Sequence, residues 1–128
     1  MKFIAVDVDE HGHSFFRELE LPQQGTPQRV SSKNQDVLYW KMTLSKPGHV
    51  QDFKTVPDIM VLAIFSGQMN VTVSNGDTRH FVRGDMLVLW DVKGQGHITR
   101  IVGQEPCHVL HMAVADKGDF RPASAVGV

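Results

Sequence analysis

The chain is short of cysteine, of net charge and of long apolar runs, and each shortage excludes a class of protein. Its single cysteine, Cys107, has no partner in the chain, so no internal disulfide staples the fold. That fits a reducing compartment, and a cytoplasmic protein is expected. Lys and Arg number 13 against 14 Asp and Glu, a net charge of -1. A nearly neutral chain gains little from counterion release, which argues against nucleic-acid and anionic-membrane partners. No apolar stretch approaches a membrane span. The opening "MKFIAVDVDEHG" carries an acidic residue at Asp7, too early for a secretory leader. Also missing are an internal repeat, a low-complexity run and any apolar period of 3.6 residues longer than a turn or two.

What is present is strand patterning. The 128 residues, 41% apolar and 21% charged, suffice for one domain with its own core. "KFIAVDV" alternates, with Phe3 and Ala5 facing inward, and "SFFRELEL" follows a turn at His11-Gly12-His13. "QDVLYWKMTL" (35–44) is rich in β-branched and aromatic residues and ends at the turn Lys46-Pro47-Gly48. "IMVLAIFSG" (59–67) is apolar throughout, as a strand buried on both faces would be. In "QMNVTVSNGDTRHFV", Val71 and Val73 alternate with Thr72 before Asn75-Gly76, a hairpin signal. "GDMLVLWD", "GHITRIVG" and "CHVLHMAVA" supply three more strands. Short strands separated by frequent turn signals predict an all-β sandwich or small barrel. One domain is expected over residues 1–115, with a small-residue tail over 116–128 that is loose.

The stretch "DVKGQGHIT", Asp91 to Thr99, carries glycines that invite a phosphate-loop reading. A strand pattern follows it, not a helix whose N-terminus could aim amides at an anion, so that reading is set aside. Spacing is more informative. From Gly48, five residues lead to Lys54, one to Val56, three to Met60 and six to Gly67. This frame resembles the first cupin signature, G-x5-H-x-H-x3-4-E-x6-G, without insertion. "FVRGDMLVL" resembles the cupin entry at Gly84-Asp85, and "DVKGQGHITR" resembles the second signature. There Trp90 stands at the proline place and His97 lies two residues beyond the pattern.

The resemblance, from about Phe3 to Val114, implies an antiparallel jelly-roll barrel with an internal pocket and a homodimer formed through edge strands. The first thirty-odd residues, with "FFRELEL", are the expected pairing surface. In metal-binding members two histidines and a glutamate of the first signature join one histidine of the second. Here those places hold Lys54, Val56 and Met60, and only His97 survives. A protonated ammonium has no lone pair, valine offers no donor, and a thioether suits only soft ions. No metal and no other cofactor is therefore expected, unless His80 or His111 rebuilds a site.

Alternation places Lys54, Val56, Asp58 and Met60 on one side of a strand, with Pro57 able to disturb it, and His97 and Thr99 on a facing one. Lys54 and His97 then share the space the metal would have filled. Two basic side chains in a partly desolvated pocket can pass a proton near neutral pH. Lys54 equally fits a solvated mouth residue, and His97 a core histidine pinning the "GQG" loop. Met60, Val56, Asp58, Tyr39, Trp40, Thr99 and Asp91 are the candidate substrate-binding residues. Asp91 also fits a turn residue bonding its own backbone. Metal-free members include epimerases, dehydratases and cyclases. The resemblance thus implies a metal-independent enzyme that moves a proton on a small organic molecule, of lyase or isomerase type. A non-catalytic ligand-binding or assembly module is the alternative, and a metallo-cupin with a rearranged ligand set a further one. The apolar-leaning pocket favours an uncharged or mixed ligand over a sugar nucleotide.

Overall fold

The computed structural model describes residues 2–123, so 124–128 of the expected tail lie outside the described residues. Within that range every regular element is a strand. The larger sheet has, in spatial order, β13 (Arg121–Pro122), β2 (Ser14–Glu20), β1 (Lys2–Val8), β10 (Met86–Leu89), β7 (Ile59–Ser66), β12 (Cys107–Val114) and β5 (Tyr39–Ser45). The smaller has β6 (Val50–Lys54), β11 (His97–Val102), β8 (Gln68–Val73) and β9 (Thr78–Val82). A short hairpin, β3 (Gln24–Thr26) with β4 (Arg29–Ser31), stands apart from both.

Alternation along each strand decides which side chains meet. Val6, Leu62, Leu87 and Val109 of the larger sheet pack against Met69, Val71, Val73 and Ile101 of the smaller, and this is the main core. The opposite face of the larger sheet buries Phe3, Ala5, Leu19, Val88 and Trp90. β1 therefore serves two cores, Phe3 and Ala5 on one face and Val6 on the other. The apolar run of β7 is explained the same way, since it lies between β10 and β12 with both neighbours paired.

The jelly roll departs from expectation in two places. The sheets face each other without a hydrogen-bonded ladder closing them into a barrel. β1 pairs with β10 in parallel, because no short turn links them to force opposite directions. After residue 115, Arg121–Pro122 pair with β2, and Phe120 meets Phe3 edge-on at 5.1 Å. Phe120 packs there against the outer core. The Asn75-Gly76 turn forms as expected, with Gly76 at φ 99° and Asn75 Oδ1 accepting the Asp77 amide at 2.9 Å.

Candidate functional site

Between the two sheets lies a cavity of about 410 Å³, within the range of small-molecule sites. Period two supplies one wall: Tyr39, Lys41, Thr43 and Ser45 of β5 all face it. Met60 and Leu62 of β7, Leu87 and Leu89 of β10, and Val109 and His111 of β12 continue that wall. The facing sheet contributes Gln51 and Lys54 of β6 and His97, Thr99 and Ile101 of β11. Gln51 and Lys54 are three apart, which simple alternation forbids on one face. A register shift between His97 and Thr99, opposite them, lets both turn inward.

The loop before His97 sets the site. Gly94 and Gly96 both have positive φ, at 86° and 76°. A Cβ at Gly96 would stand 2.3 Å from the carbonyl carbon of Lys54, so only glycine lets the two backbones come this close. Ser14 Oγ donates to the Gly96 carbonyl at 2.6 Å in a buried contact. The strand then starts with His97 directly opposite Lys54. His97 is 8% exposed, and its Nδ1 lies 2.5 Å from Oδ2 of Asp91, which is wholly buried. A carboxylate only accepts, so Nδ1 carries the proton, and in the neutral ring Nε2 is the bare nitrogen. Nε2 has no hydrogen-bond partner among the described residues, and the ring lines the cavity. Asp91 Oδ1 is likewise buried without a partner among the described residues.

Of the residues singled out in the sequence, His97, Lys54, Met60, Val56, Tyr39 and Thr99 line this cavity. Three others stand elsewhere. Trp40 follows Tyr39 on a strand, so it points to the opposite face and is 66% exposed. Asp58 accepts the Tyr39 hydroxyl at 2.7 Å in an exposed contact and does not line the cavity. That hydrogen bond raises the Tyr39 pKa above its ordinary value. Asp91 lies behind His97, out of a ligand's reach, and bonds the ring and not its own turn. The strand expected through Lys54 to Met60 is also broken. It ends at Lys54, and 55–58 form a link in which the Val56 amide donates to the Asp91 carbonyl at 3.2 Å. Pro57, lacking an amide hydrogen, sits where the ladder stops.

Sequence reasoning missed Thr43, Ser45, His49 and Gln51, although alternation from Tyr39 was a usable signal for the first two. His111 stands beside Thr43, with Nε2 3.0 Å from the hydroxyl. Burial first, and then the ammonium of Lys41, lower the His111 pKa. His80 hydrogen-bonds Asn70 in an exposed contact outside the cavity. Among the described residues no three His, Cys, Asp or Glu side chains converge as metal ligands would. With Lys54, Val56 and Met60 at three of the four ligand places, the donor set does not fit the usual cupin metal.

No protein-family model matches the chain, and no curated protein matches it significantly. Solved structures do. The cupin domain of Cnp3 from Schizosaccharomyces pombe aligns with a TM-score of 0.54 at 15% identity, over 90% of this chain and 88% of that one. An uncharacterized Klebsiella pneumoniae protein with a double-stranded β-helix domain gives 0.50 at 19%, over 66% and 68%. A Streptococcus pyogenes protein of unknown function gives 0.51 at 17%, over 68% and 72%. Facing sheets in this strand order and these structural neighbours establish that the chain has the cupin, or double-stranded β-helix, fold.

Proposed function

We propose that the space between the sheets binds a small organic molecule, and that His97 exchanges a proton with it at Nε2 without a metal. The observation that carries this reading is the buried Asp91–His97 pair opening onto the cavity. Asp91 holds the ring in one tautomer and faces the positive charge that arises when Nε2 takes a proton. Asp91 is thus a positioning residue, and His97 is the group that touches the ligand. Proton return to another atom of the ligand gives isomerisation, and return to a leaving group gives elimination. A placed acid–base group of this kind contributes about 10²–10⁴-fold. Lys54 lines the same cavity opposite His97 in the register, while Asp91 is the hydrogen-bond partner of the ring.

The test is solvent exchange. The protein is incubated in D2O with a panel of small molecules bearing an acidic C–H, and deuterium uptake is followed by proton NMR. Uptake by the native chain that is abolished in His97→Gln is the expected result. Uptake undiminished in that variant removes His97 from the chemistry. A panel member that shifts the His97 ring signals without any uptake refutes the catalytic half and leaves a binding module.

This reading places the protein in a reducing compartment, on its one cysteine, and takes a second copy of the chain as partner. The pairing edge moves from the N-terminal residues, where β13 covers β2, to β5. β5 ends the larger sheet and exposes Trp40, Met42 and Leu44 on its outer face. Light scattering should give a dimer that Trp40→Lys dissociates, and a monomeric native chain overturns it.

A further inference from the structure

The ionisable side chains lining the cavity, tyrosine aside, are all basic. Lys41, Lys54, His49, His97 and His111 line it, and no aspartate or glutamate does. Chain composition does not explain this, since acidic residues outnumber Lys and Arg by 14 to 13. The nearby carboxylates are engaged elsewhere. Asp91 is bonded behind His97, Asp58 takes the Tyr39 hydroxyl, and Asp52 Oδ1 accepts the Phe53 amide. Neither lysine has a salt-bridge partner among the described residues, where the ion pairs are His11–Glu10, Arg17–Asp7 and His97–Asp91. Two lysines on different sheets thus line one space, and no carboxylate lines it with them. Met60, Leu62, Met69, Leu87 and Val109 give that space an aliphatic and thioether floor, while Thr43, Ser45, Gln51 and Thr99 add hydroxyl and amide groups to its walls.

We infer that the ligand is a small organic carboxylate whose charged end lies between Lys41 and Lys54 and whose apolar body rests on that floor. The inference builds on the proposed binding of a small molecule beside His97 and names its chemical class. It narrows the sequence-based expectation of an uncharged or mixed ligand to the mixed class, because Lys41 and Lys54 line one cavity. Low-dielectric walls strengthen the pull of a cationic rim on an anion that enters. An acid seated there has one end neutralised while the rest of the molecule leaves water, a pairing that neither a neutral alcohol nor a dication satisfies. Lys54, opposite His97 in the register, puts the bound end on the histidine's side of the cavity.

The probes are hexanoate and hexanamide, which share a body and differ in charge. Each is titrated into the full chain and followed by the ring signals of His97 and by calorimetry. Hexanoate is expected to shift His97 and to bind at least about ten-fold more tightly than hexanamide, the advantage shrinking as salt is added. Lys41→Gln and Lys54→Gln should each weaken hexanoate by about ten- to a hundred-fold and leave hexanamide unchanged. Both lysines are exposed, so neither change should disturb the fold, and dispersion of the amide spectrum checks this. Equal affinity for the two probes at His97 overturns the carboxylate inference alone and leaves the binding site standing. Shifts confined to residues outside the cavity overturn it too. Failure of both probes to shift His97 overturns the inference together with the reading beneath it.

Discussion

Asp91→Asn is the perturbation on which the site's physics can be measured. The native carboxylate is fully buried and accepts from His97 Nδ1 at 2.5 Å, while its second oxygen has no partner among the described residues. The amide is nearly isosteric, so packing is kept and only charge and hydrogen-bonding capacity change. If its oxygen faces Nδ1, a charge-assisted bond becomes a neutral one and an NH2 is buried where no acceptor waits. If its nitrogen faces Nδ1, the ring must move its proton to Nε2. Either outcome forfeits a hydrogen bond to a charged group or orphans a buried donor, and costs about 1–3 kcal/mol. For a chain between small and medium size, each kcal/mol moves Tm by roughly 3–5 °C, so a fall of about 3–15 °C is expected. Calorimetry reads the stability. Proton NMR reads the bond itself, as an Nδ1 proton far downfield in the native chain that is lost or moved upfield in the variant. A Tm unchanged within about 2 °C, with the downfield proton still in place, would refute the assignment of Asp91 as the partner of His97.

Three further outcomes are expected. Gly96→Ala adds the αL penalty of about 1–2 kcal/mol to a collision with the Lys54 backbone, so a loss of at least about 2 kcal/mol in chemical denaturation is expected, with changed amide signals at Lys54 and His97. His111 has a folded-state pKa lowered by burial, so the unfolded chain binds its proton first as the pH falls. Its contribution is therefore complete above the ordinary value of 6.5 and is lost as pH drops toward the folded value, and His111→Gln should flatten the Tm–pH curve on that acid side. Phe120→Ala removes a half-buried ring from the outer core and should cost about 1–2 kcal/mol by denaturation, whereas a dangling tail would lose nothing.

Much of this was legible before any coordinates. Val71 and Val73 around Thr72, closed by Asn75-Gly76, specify their hairpin locally, because alternation and a positive φ are properties of neighbouring residues. The same holds for the apolar run of β7 and for the residue types at Lys54, Val56 and Met60, which offer no ordinary metal donor set. β5 shows where local reading stopped. Tyr39 and Trp40 were equally good aromatic candidates, and only the face turned inward separates them. The link after Lys54 shows the same limit, because Pro57 can be read either as a disturbance within a strand or as the end of one.

The sequence alone determined that the chain is built from strands, where its turns fall, and that its pocket positions carry lysine, valine and methionine. Tertiary structure decided which side chains share that pocket and what His97 touches. The Asp91 contact depends on the path of six residues through Gly94 and Gly96, and that path is held by Ser14, Gly12 and Lys54, far away in the chain. The facing of Lys41 and Lys54 depends on how two sheets stack and on a shift in register. Long-range packing sets such contacts, and no window of neighbouring residues encodes them.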